Sequence, residues 1–481
     1  MNSIQTAYIN ALLADAAYIE NIGTGEINAS RFAPRLTPTQ ATYLAANFTV
    51  VTSIETPNTI HSELGTGFDA VVWQIKAGSE LAGPNNVNAG KLFVSMRGTQ
   101  GLTDSADDIT LASRGIPYDQ IRDMVNWWLK NTAAVTNTQV QQIKVIEAPG
   151  LVGAKTFALD TPTNGTGLLN ELDGIAGVNG HSLGGYLSTA FARIFGAAWG
   201  VEQVSTFNSA GFSNAAGLNI ASEYDNIANL LGSQMGISFE GLAGLQKNYF
   251  GTNGIELTTN SAADIGIPGF NQYGQRVDLY QEDLLGSGLS GLINNHSMYK
   301  LTDYLALGVA LEKLDPSLGF DKLNALVKAG SNDMKASYEG VLDGLRRIVD
   351  GPDVARLNAD DVPGNAPTRE AFHAALVGIR QSPAFQSLAG HLLIRPASAD
   401  LKAAARNDFS AVVALQDLSP IWMSGKNAAA DAQLARHWNS TRHTDSAGWI
   451  RTGCQHGSTR RRALCPAVRK KKSSVETLLF S

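Results

Sequence analysis

At 481 residues, with 44% hydrophobic and 17% charged residues, the chain has room for one large α/β domain and a second unit. A net charge of −6 gives it no general attraction for nucleic acid, and no apolar run reaches the roughly 18 residues of a membrane span. Its two cysteines, Cys454 and Cys465, both fall near the end, and no H-E-x-x-H spacing occurs, so no metal site and no cofactor are expected.

The opening Met1-Asn2-Ser3-Ile4-Gln5 lacks the basic and apolar regions of a Sec-type signal, and Ala7 to Ile19 predicts an amphipathic helix. Phe48–Ile54, Ala70–Ile75 and Lys91–Met96 then predict strands, separated by turn residues such as Pro57, Gly65 and Gly67. Residues 101–135 form a long excursion whose Met124–Leu129 run, with Trp127 and Trp128, reads either as an apolar lid or as core. Later strands are expected at Ile175–Val178, Val204–Asn208, Lys247–Phe250 and Arg276–Tyr280. Strands alternating with helices imply a mainly parallel sheet covered on both faces.

From about residue 311 the periodicity turns helical, at Leu323–Ala329, Tyr338–Val349 and Thr368–Ile379. The expected organisation is an α/β unit over 1–310, a mostly helical region over 311–440 and a basic tail over 441–481. That tail holds nine Lys/Arg against Asp445 and Glu476, a net +7 that leaves −13 on the rest. Few large apolar residues offset the ordering cost there, so disorder is expected. It reads equally as a surface-binding arm or as a frame-shifted segment.

The chemistry centres on Gly180-His181-Ser182-Leu183-Gly184-Gly185, between the Ile175–Val178 strand and a helical run from Tyr186 to Phe195. Strand, tight glycine turn and helix make a G-x-S-x-G sequence a nucleophile elbow, with Ser182 as nucleophile. A serine needs a histidine to take its proton and a carboxylate to orient that histidine, in chain order serine, acid, histidine. His296, in the polar loop Asn294–Tyr299, is the expected base, whereas His373 and His391 lie in helical patterns. His181 is expected to point away from the chemistry. Asp264 is the expected acid, and Glu256, Asp278 and Asp283 remain open. The oxyanion needs two pre-aimed N–H donors. Leu183 supplies one and Thr99, in the turn Arg97-Gly98-Thr99 after the third strand, the other; Arg97 pins that loop.

Leu92–Thr99 together with Val178–Gly185 resembles the class 3 (fungal-type) lipases of the α/β-hydrolase superfamily, over about residues 45–310. The resemblance implies Ser182 as nucleophile, His296 as base, Thr99 and Leu183 as oxyanion donors, and a lipid or ester substrate. Met96 replaces the family's phenylalanine, and Asp264 is displaced from the usual position of the acid. The whole chain is also similar to bacterial lipases exported without an N-terminal signal, but lacks their G-G-x-G-x-D repeats. Secretion without a signal peptide is therefore the expectation, with a cytoplasmic site as the alternative, and with transient contact at a lipid interface. The expected activity is acyl transfer to Ser182 followed by hydrolysis of lipid esters. A phospholipase or esterase would share the same residues, and a non-catalytic binding protein on this fold is the rival class.

Overall fold

The computed structural model describes residues 3–33, 35–55, 67–98, 116–150, 154–170, 174–213, 220–232, 236–252, 270–282, 296–330, 337–351, 353–358, 364, 366–397, 401–406, 409–416 and 419–441. Eight strands make one sheet whose spatial order follows the chain. They are β1 (Gly25–Glu26), β2 (Phe48–Glu55), β3 (Asp69–Ile75), β4 (Leu92–Met96), β5 (Ile175–His181), β6 (Val204–Phe207), β7 (Gln246–Thr252) and β8 (Gln275–Tyr280). Pairings from β1 to β4 are antiparallel, and those from β4 to β8 are parallel. Helices cover both faces, as a parallel sheet requires. The architecture is that of an α/β-hydrolase.

The central strands β4 and β5 are buried at every position. Their side chains alternate between two cores. On β4, Phe93 enters one apolar cluster while Leu92, Val94 and Met96 enter the other. The second cluster is closed by the helix Tyr118–Thr132 and by α2 (Leu183–Phe195). Trp128 is fully buried there, edge-on to Phe191 at 4.7 Å and to Trp199 at 5.3 Å, and Trp127 packs on Phe68. The tryptophans are therefore core, and the helix bearing them is no lid.

The first helix, α1 (Ser3–Ala16), departs from the amphipathic expectation: eleven of its fourteen residues are buried. It lies between the sheet and α3 (Met298–Leu314), so it has no solvent face to make polar. Glycines permit the close approach on each side. A Cβ at Gly177 of β5 would stand 2.9 Å from Asn10 Oδ1, and one at Gly308 of α3 would stand 2.8 Å from Ile4 Cγ2. The free amides at the start of α1 are served by α3, through Glu312 Oε1 to Ile4 N (3.5 Å) and Oε2 to Gln5 N (3.3 Å). Asn10, Asn179, Ser95 and Trp73 continue as a buried hydrogen-bonded chain across β5, β4 and β3.

The region after residue 311 contains helices such as Phe320–Gly330, Ser337–Val349 and Pro367–Gln381, together with an antiparallel ribbon, Leu392–Pro396 against Ile421–Gly425. Its residues share the apolar cluster of α1 and α3. The link between this region and α3 is ionic as well. Arg369 grips buried Asp303 with Nε–Oδ2 at 2.8 Å and Nη2–Oδ1 at 2.7 Å, and His373 Nε2 lies 2.7 Å from Oδ1. Burial pushes the Asp303 carboxyl up, but Arg369 and His373 overcome it and hold the group well below the usual carboxylate range. His373 is thus a packing residue, as its helical setting predicts. Of the 441–481 tail, only Thr441 is among the described residues, at the end of the helix Ala428–Thr441.

Replacing Arg369 with Met strands a carboxylate in the core and should destabilise the fold by about 3–5 kcal/mol at neutral pH. A depressed folded-state pKa contributes in full above about pH 4 and is lost below it. Urea midpoints of parent and Arg369→Met should therefore converge as the pH falls below about 4. A neutral-pH difference under about 1 kcal/mol would show that the pair carries no such role.

Candidate active site

Ser182 is the single residue between β5 and α2, and its backbone is left-handed with φ 57° and ψ −127°. For a residue with a side chain this conformation costs about 1–3 kcal/mol and persists only where the surroundings enforce it. Here Ser182 N donates to Phe207 O of β6 at 3.0 Å, while Ser182 O accepts from Gly185 N at 3.0 Å and Ala210 N at 3.1 Å. The flanking glycines are required by contact. A Cβ on Gly180 would sit 2.2 Å from Gly184 O, and one on Gly184 would sit 2.1 Å from Met96 O. The turn thus fits only because β4, β5 and α2 touch backbone to backbone.

Helix α2 starts directly at Leu183, so its first amides and the positive end of its dipole lie beside Ser182. The turn after β4 approaches from the other side. A Cβ at Gly98 would be 3.2 Å from Ser182 Cβ and 2.8 Å from His181 O. Thr99 follows immediately but lies outside the described residues, as does the stretch 101–115. Arg97, behind the turn, is buried and paired with Asp69 of β3 at 3.2 Å.

His296 precedes α3 and is buried. Its carbonyl, not its ring, is what neighbouring residues hold: His181 Nε2 lies 2.6 Å from His296 O, and Asn208 Nδ2 lies 3.3 Å from it. Asn208 in turn accepts from Gly251 N at 3.0 Å, tying His296 to the ends of β6 and β7. Among the described residues, neither ring nitrogen of His296 has a hydrogen-bond partner. Burial pushes its pKa down to about 4, leaving a neutral imidazole able to accept a proton.

The expected acid, Asp264, lies outside the described residues, as do Glu256 and Asp283. Asp278 is within β8, half exposed, and bonds to Arg276 at 2.6 Å. Glu282 is buried against Lys300 Nζ at 3.1 Å and Tyr338 N at 2.7 Å, so it is committed elsewhere. His181 does not point away from the chemistry: its ring is 4.7 Å, centroid to centroid, from that of His296. Tyr18 and Asn208 have no counterpart in the sequence reading. No motif marks Tyr18, which reaches His181 across 163 positions. Among the described residues, no group of three His, Cys, Asp or Glu is arranged to hold a metal, and no helix is long and apolar enough to cross a membrane.

Neither a protein-family model nor a curated protein matches the chain. Among solved structures it is similar to the Lip2 lipase of Yarrowia lipolytica, at 14% identity and TM-score 0.28 over 60% of this chain and 82% of that one. The nonglycosylated form of the same lipase gives 13% identity and TM-score 0.31 over 60% and 83%. These overlaps are too loose to carry residue correspondences; the fold rests on the sheet order and the Ser182 turn.

Gly184→Ala tests that turn. Its added methyl meets the Met96 carbonyl, so the urea midpoint should drop by the equivalent of about 1–3 kcal/mol. An unchanged midpoint would mean the strand and helix do not meet as described.

Proposed function

We propose that the chain is a serine hydrolase that cleaves carboxylic esters of lipids through an acyl-enzyme on Ser182. The observation that carries this reading is the left-handed Ser182 at the end of a parallel strand, with a helix N-terminus beside it. A strained serine enforced by a packed turn adds nothing to stability, and such a turn suits a hydroxyl held for attack.

In this reading His296 takes the Ser182 proton as Oγ attacks the ester carbon. The oxyanion is held by the amides of Leu183 and Thr99. His296 then protonates the leaving alcohol, and it activates the water that releases the acid. Asp264 serves as the carboxylate behind the imidazole. The broader proposal includes transient contact with a lipid surface and secretion.

Purified full-length protein should hydrolyse p-nitrophenyl esters, with the short- against long-chain ratio reporting substrate class. Ser182→Ala should cut kcat by several orders of magnitude, leaving roughly 10³-fold over water. Activity within a few-fold of the parent would overturn the nucleophile assignment. A parent inactive on every ester would favour the non-catalytic binding reading.

The acid has its own signature. A carboxylate behind His296 raises its pKa above the value of about 4 that burial imposes. Since the base must be neutral, the acid limb of kcat/KM in the parent should lie above pH 4. In Asp264→Asn the limb should move down toward 4, with kcat lower by about 10³–10⁴. An unchanged limb and kcat would transfer the role to Glu256 or Asp283.

A further inference from the structure

The hydrogen bonds around His181 run in one direction and join the two arms of the candidate site. A carbonyl can only accept, so the 2.6 Å contact with His296 O requires the proton of His181 to be on Nε2. His181 is buried, and its pKa lies well below the ordinary value because of burial and the neighbouring His296, so the ring is neutral. Nδ1 is then a lone pair, and the Tyr18 hydroxyl 2.8 Å away must donate to it. With its proton so used, Tyr18 Oη accepts from Gly98 N at 3.2 Å. The complete chain is Gly98 N–H to Tyr18 Oη, Tyr18 Oη–H to His181 Nδ1, and His181 Nε2–H to His296 O.

Each end of this chain is a residue next to the chemistry. Gly98 abuts Ser182 Cβ and immediately precedes Thr99, and His296 is the proposed base. Neither end has a rigid element of its own at that point, since Gly98 follows β4 and His296 precedes α3. The middle is rigid: Tyr18 follows α1, which is packed between the sheet and α3, and its hydroxyl is pushed up to about 12 by burial, so it keeps its proton. Arg35 lies over the Tyr18 ring at 4.2 Å and is paired with Asp15 of α1 at 2.6 Å, fixing the ring from behind.

We infer that Tyr18 and His181 are positioning residues that couple the oxyanion turn to the catalytic base, so that the two arms hold one register around Ser182. The inference rests on the hydrolase reading. It acts through geometry alone: neither side chain meets the substrate or exchanges a proton with it. Misplacing a catalytic group by about 1 Å costs on the order of 100-fold in rate.

The test uses the full chain and p-nitrophenyl esters. Tyr18→Phe keeps the ring and removes the hydrogen bonds of the hydroxyl to His181 and Gly98. It should lower kcat about 10- to 100-fold, with KM within two-fold and the cooperative melt retained. His181→Gln, which can still present a donor to His296 O, should retain at least ten times the kcat of His181→Leu. For any variant that folds poorly, 15N NMR of the histidine rings in the parent supplies the check: His181 should be the Nε2–H tautomer with a hydrogen-bonded Nδ1. A parent inactive on all esters overturns the hydrolase reading and the coupling with it. An active parent matched within two-fold by Tyr18→Phe, equal losses in Gln and Leu at position 181, or an Nδ1–H tautomer overturns the coupling alone.

Discussion

The left-handed backbone of Ser182 is the constraint around which the structure is arranged. It can form only where β4, β5 and α2 approach to backbone contact, and that needs hydrogen in place of a side chain at Gly180 and Gly184. The same approach has consequences at three sites. It starts α2 at Leu183, so that the helix N-terminus lies beside the serine, and it pins Ser182 O to Ala210 N beyond β6. It also brings the turn after β4 against the serine, where Gly98 fits without a side chain. The strain of about 1–3 kcal/mol is small beside the burial of two apolar cores on either face of the sheet.

The second organising element is α1, a helix with almost no exposed surface. Buried polar groups need partners, and α1 finds several of them in distant residues: Glu312 on its first amides, Asn179 on Asn10, Arg35 on Asp15. Those partners lie on α3, on β5 and in the turn between the helices Ala29–Phe32 and Pro38–Asn47. The helix therefore ties the start of the chain to the strand that carries Ser182 and to the helix that follows His296. The region after residue 311 joins the same core, with the Asp303–Arg369 pair locking it to α3. Residues far from the serine thus set where His296 stands.

Much of this was legible in the sequence because it is local. The strands from Phe48, Ala70, Lys91, Ile175 and Val204 show as apolar runs between turn residues, and the Ser182 turn shows because its glycines are obligatory. The rest depends on what packs against what. An all-round buried α1 looks amphipathic until α3 is placed over it. Trp127 and Trp128 look like a lid until Phe191 and Trp199 enclose them. The ribbon strands Leu392–Pro396 and Ile421–Gly425 are five residues each, too short for periodicity to mark among helices. From its place before the serine His181 reads as pointing outward, and only the position of His296 reveals its bond. Tyr18 leaves no local trace at all, since its partners come from β5 and from the turn after β4.

The central claim is that Ser182 is a nucleophile activated by its setting. The most direct measurement is mass-spectrometric mapping of the chain after reaction with diethyl p-nitrophenyl phosphate, which phosphorylates activated serines without requiring the right ester substrate. One diethyl phosphate per chain is expected, on Ser182, and none when His296 is replaced by Ala. Stoichiometric labelling at another residue, or none in the folded parent, would contradict it.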